Sequence, residues 1–135
     1  MAKYSLLYIS LGMVAILLVF HLIALAFYFY WTLWWFDIMM HFLGGIIGGF
    51  ITIWFLFDSD IFYTHVPSGK ETALLAFAVV LMVAVLWEVF EYKAGLTGSE
   101  PRYISDVFSD LAFGTLGATL AGMVAAKEIF RIRKQ

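Results

Sequence analysis

Long apolar runs, each about twenty residues and nearly free of charge, constrain this chain more than any other feature. A helix needs roughly that length to cross about 30 Å of hydrocarbon at about 1.5 Å per residue. Four such runs occur, at about 5–31, 37–57, 72–92 and 105–126. They predict an all-α, polytopic membrane four-helix bundle forming one transmembrane domain over residues 1–135. The first run is too long for a signal-peptide core. It also meets Trp31, Trp34 and Trp35 instead of a small-residue cleavage site, so it reads as a mature helix.

Composition excludes the alternatives. The chain is 64% hydrophobic and 13% charged, with a mean hydropathy of +0.94, whereas soluble domains carry roughly 25% charged residues. The absence of cysteine removes disulfides, thiolate metal sites and cysteine nucleophiles. A formal charge of −2 leaves no basic surplus for neutralising phosphates, so no nucleic-acid partner is expected. Membrane lipids are the expected surroundings and partners.

Basic residues near span ends favour the cytoplasm. With four spans, Lys3, Lys70, Lys127, Arg131, Arg133 and Lys134 share one side, and Lys93 and Arg102 the other. This bias predicts an integral protein of the cytoplasmic membrane with both termini cytoplasmic.

Ionisable groups inside spans are costly, about 2.5–3.5 kcal/mol for a central Asp, so their placement is informative. Asp37 and His41 open the second run, Glu88 and Glu91 close the third, and Asp106 and Asp110 open the fourth. All six therefore fall at the extracytoplasmic end. Each pair is spaced i,i+3 or i,i+4, which puts both members on one helix face. Five carboxylates near hydrocarbon require a cation, a basic group or protonation. Asp37, His41, Glu88, Glu91, Asp106 and Asp110 are thus candidate metal ligands, and His41, Glu88 and Asp110, one turn or more inside, are candidate catalytic residues. An oxygen-rich set with one histidine suits Mg, Mn, Ca or Fe better than Zn. Arg102 is a candidate for binding a substrate phosphate. Asp37 and Asp106 sit at helix starts, where capping explains an acid equally well. Glu91 at a helix end can simply reach water. His21 reads as a packing histidine and His65 as a loop residue.

Gly44, Gly45, Gly48 and Gly49, with Gly114, Gly117 and Gly122, make small-residue faces that allow helices to approach closely, within one chain or between copies in a homo-oligomer. Aligning DIMMHFLGGIIGG with DVFSDLAFGTLGA superposes Asp37 on Asp106, His41 on Asp110, Gly45 on Gly114 and Gly48 on Gly117. This suggests two two-helix repeats related by an axis along the membrane normal.

The Asp37-x-x-x-His41 opening, the Trp87-Glu88-Val89-Phe90-Glu91 end of the third run, and Arg102-x-x-Ser105-Asp106-x-x-x-Asp110-x-x-x-Gly114-x-x-Gly117 resemble the VanZ-like family and related uncharacterised small bacterial membrane proteins. The likeness covers about 37–117 and implies a helical membrane fold in which the polar cluster matters. Three functions remain open. The first is a divalent-metal-dependent hydrolase or transferase acting on a lipid or lipid-linked substrate. The others are a structural or regulatory membrane subunit, and a proton or cation transporter.

Overall fold

The computed structural model describes residues 5–59, 61–62, 65–95 and 103–133, with side chains through residue 129. Its elements are α1 (Ser5–Ala26), a short α2 (Phe29–Thr32), α3 (Phe36–Ile53) continued by a π-helical turn (Trp54–Asp58), α4 (Gly69–Ala94) and α5 (Tyr103–Arg133). Among the described residues there is no strand. Four helices are long and apolar enough to span a membrane: Ser5–Ala26, Phe36–Asp58, Gly69–Ala94 and Tyr103–Ile129. The protein is a helical membrane bundle.

The first apolar run does not stay helical to Trp31. Tyr28 takes a left-handed backbone conformation, φ 60° and ψ 31°, which ends α1 and redirects the chain into α2. Aromatic packing holds this corner. Tyr30 and Phe29 meet Phe36 edge-on at 5.2 and 5.6 Å, and Phe36 is buried. Trp31 and Trp34 stay exposed, as indole rings at a membrane interface do. The start of α4 is fixed differently, by a capping box. The Ser68 hydroxyl accepts from the Glu71 amide at 3.2 Å, and the Glu71 carboxylate accepts from the Ser68 amide at 3.4 Å. Gly95, at φ 69°, ends the helix in the left-handed region that glycine tolerates.

α5 organises the bundle, packing along both α3 and α4, while α3 and α4 touch each other much less and α1 packs on α3. In hydrocarbon, association rests on close backbone approach more than on burial of apolar surface. Glycines supply that approach. A Cβ added at Gly45 would collide with the Gly114 carbonyl, and one at Gly117 with the Phe42 carbonyl. At Gly122 it would come within 2.6 Å of the Thr72 carbonyl. These contacts run α3 parallel to α5 and α4 antiparallel to it. They also use Gly45, Gly114, Gly117 and Gly122 inside the chain, while Gly12 on α1 faces open space.

The two ends of the bundle differ. Leu6, Ile53, Phe57, Val80 and Ile129 form an apolar core toward the end where α1 begins and α5 finishes. The other end, where α3 and α5 begin and α4 finishes, gathers the acids.

Candidate metal centre

Asp37 and His41 occupy the first two turns of α3, and Asp110 the second turn of α5. The Gly45–Gly114 contact brings these turns alongside each other. The His41 Nε2 atom lies 3.7 Å from Asp37 Oδ1 and 3.6 Å from Asp110 Oδ2. One donor atom from each residue lies within 4.8 Å of the others. The two shorter separations exceed a hydrogen bond. Ligands of one ion, bonded at about 2.0–2.6 Å, stand about 3–4 Å apart, and the two separations from His41 fall in that range.

Asp110 is 5% exposed, and its Oδ1 is buried with no hydrogen-bond partner. Several hydroxyls in the spans are satisfied by their own helix. Ser10, Thr52, Thr115 and Thr119 each donate to the carbonyl four residues back, at 2.6–2.7 Å. A carboxylate has no proton to donate when ionised, so this local solution is closed to Asp110. Its burial calls for a cation, a donor from outside the helix or protonation.

The remaining acids surround this trio without joining its ligand group. Glu88 is buried and faces Glu91, Asp106 and Asp37 closely enough to interact electrostatically. Glu91 is half-buried and accepts a hydrogen bond from Trp87 one turn earlier. Asp106 is exposed. Among the described residues, only Asp37, His41 and Asp110 lie within common ligand reach. Arg102 falls outside the described residues. Ser109 donates to the Ser105 carbonyl at 3.0 Å, the bond of a packing serine.

His21, half-buried on α1, meets the Tyr30 hydroxyl at 2.8 Å through Nδ1. His65 contacts Glu71 at 3.0 Å, far along the chain from the cluster. Tyr30 was not singled out by sequence. Burial, and then the Asp37 carboxylate nearby, raise its phenol above the ordinary tyrosine range. The aromatic run around it gave no signal that the α1–α3 corner would carry this tyrosine to the rim of the acidic end.

A family described as "Predicted membrane protein (DUF2238)" matches residues 2–129. No curated protein and no solved structure matches.

Proposed function

The chain belongs to that family of predicted membrane proteins, and we propose that its acidic end is a divalent-cation centre held by Asp37, His41 and Asp110. One observation carries this reading: a buried Asp110 carboxylate, one oxygen of which lacks any partner, converging with a histidine and a second carboxylate at ion-ligand spacing. The donor set of two carboxylates and one imidazole fits Mg, Mn, Ca or Fe better than a structural zinc. Three protein ligands leave coordination positions for water or substrate. An ion there would acidify bound water and polarise a phosphoryl oxygen, the chemistry of a hydrolase or transferase acting on a lipid-linked phosphoester. In that scheme Arg102 meets the substrate phosphate and Glu88 serves as an acid–base group. The resemblance to VanZ-like proteins rests on the same motifs and supports the importance of this polar cluster.

A structural reading draws on a different observation. The three ligands come from α3 and α5 alone, the helices already locked at Gly45 and Gly114, so an ion would staple that pair. Transport has less support, because the opposite end closes on Leu6, Ile53, Phe57 and Ile129.

Elemental analysis of purified protein tests the ion itself. About one divalent ion per chain, lost in Asp110→Asn, is expected. A metal-free protein that takes up none of Mg, Mn, Ca or Fe would end this reading. Turnover of a lipid-linked phosphoester by the loaded protein would then separate the enzymatic from the structural reading.

A further inference from the structure

At the end of the bundle away from the acids, α4 and α5 part and leave a groove. The two helices are in close contact where a Cβ on Gly122 would lie 2.6 Å from the Thr72 carbonyl. One turn nearer that end, a Cβ on Gly69 would meet nothing within 4 Å. A cavity of about 360 Å³ lies here, lined by Pro67, Gly69, Met123, Ala126 and Lys127. Ligand-binding clefts run from about 300 to 1,000 Å³. Met123 and Lys127, spaced i,i+4, share a face of α5 and are both exposed, whereas Ala125 and Ile129 are buried in the apolar core. The groove therefore opens outward and does not lead into the bundle.

Its depth and its lining point to one kind of occupant. Gly69 opens the span Gly69–Ala94, and Met123 to Lys127 fall in the last two turns of the span Tyr103–Ile129. That level is the interface, where acyl chains give way to phosphates. Pro67, Met123 and Ala126 offer apolar walls, and Lys127 is the one charged residue of the lining. Glu71, near the groove along α4, is engaged by the Ser68 amide and by His65. Glu128 is adjacent to Lys127 in sequence, and neighbours at i,i+1 do not face each other on a helix. Lys70, exposed next to Gly69, adds a second positive charge at this end. A lysine stem can lie along apolar surface while its ammonium reaches the headgroup level. Basic pockets between spans recognise anionic headgroups in this way.

We propose that the α4–α5 groove binds an anionic phospholipid, an acyl chain along Pro67, Met123 and Ala126 and the phosphate on the Lys127 ammonium. The site shares no residue with Asp37, His41 and Asp110 and does not depend on an ion there.

Native mass spectrometry of the full chain in a neutral detergent tests this with dioleoyl phosphatidylglycerol and dioleoyl phosphatidylcholine, which carry the same chains. The glycerol lipid should be retained about fivefold over the choline lipid, the scale of one lysine at an anionic surface. Lys127→Gln should bring the ratio near one and Lys127→Arg should keep it, with the gel-filtration profile unchanged in both. Gly69→Leu, which fills open space in the lining, should reduce retention of both lipids. Arg133→Gln, further along the chain, should leave the ratio as it was. Equal retention of the two lipids by the unaltered protein overturns the proposal, and so does a preference that survives Lys127→Gln. A preference lost equally in Arg133→Gln assigns it to diffuse attraction by the basic tail and also overturns it. Retention indifferent to Gly69→Leu removes the groove, and this arm decides alone should Lys127→Gln fail to fold. Displacement of the glycerol lipid by inorganic phosphate at matched concentration would make the ligand a free anion and overturn the lipid source.

Discussion

Gly45 on α3 and Gly114 on α5 meet backbone to backbone, and they are the residues that the internal sequence alignment superposes. A pair related by a twofold axis touches its own counterpart only where that axis passes. The contact is thus what two repeats packed about an axis along the bundle would produce. It also fixes the register that places His41 beside Asp110.

The first prediction concerns this contact. Gly45→Val should cost stability on the order of 1–3 kcal/mol or more, because the added carbon meets backbone that cannot turn aside. Gly12→Ala on α1, where the added carbon meets nothing within 4 Å, should be neutral or gain about 0.5–1 kcal/mol from helix propensity. Thermal unfolding in one detergent compares them. Equal losses would mean that the glycine contact does not hold α3 to α5.

Asp110→Asn should act with opposite signs in the two metal states. Without ions, removing a buried charge that has one oxygen without a hydrogen bond should leave the melting temperature unchanged or raised. With ions at a hundredfold excess over Kd, the unaltered protein should gain about 2.7 kcal/mol and the variant almost nothing. A chelator titration of both proteins reads the crossing, and parallel curves would contradict it.

Protons compete for the same ligands. Asp37, His41 and Asp110 bind a cation only when deprotonated, so ion-dependent stabilisation should be full near neutral pH and fade as the solution becomes acidic. Melting temperatures with and without Mn²⁺ between about pH 7.5 and 4.5 should converge at the acid end. A constant gap across that range would rule out carboxylate and imidazole ligands.

Tyr30 makes an alkaline counterpart. The fold favours its neutral phenol, through burial and then the Asp37 carboxylate, so the folded value lies above the unfolded one. Its contribution is fully present below the ordinary tyrosine value of about 10 and is lost as pH rises through the raised value. Tyr30→Phe should therefore flatten the alkaline limb of the stability curve. At neutral pH the same change should cost about 1 kcal/mol, because the contact with His21 goes. An unaltered alkaline limb would place that limb's origin elsewhere.

Topology can be read with single cysteines, since the chain has none of its own. A cysteine at Glu100 should label from outside the cell and one at Arg133 only after permeabilisation. The reverse pattern would invert the orientation predicted from the basic residues.

The spans, and the faces of α3 and α5 that carry His41 and Asp110, were legible because each depends on spacing along one helix. Apolar runs show where the chain crosses. Asp37, His41, Gly45 and Gly48, repeated as Asp106, Asp110, Gly114 and Gly117, show which faces pack. The corner at Tyr28 was not legible, because a tyrosine with positive φ is imposed by the packing of Phe29, Tyr30 and Phe36 and has no local sequence signature. Equally hidden was the separation of six candidate ligands into a close trio and three outlying acids. Helical spacing sets the face a side chain occupies and does not set the distance between helices. That distance follows from α5 lying between α3 and α4, a tertiary arrangement.

The central place of α5 bears on how the protein is made. Translation runs from α1 to α5, so the helix that joins the others reaches the membrane last. Until it arrives, α3 and α4 have little to hold them together, and Asp37, His41, Glu88 and Glu91 wait in the membrane without Asp110. Assembly of the acidic end is thereby deferred to the final insertion event, and a nascent chain halted before Tyr103 would carry most of its charged groups yet none of the geometry that gathers them.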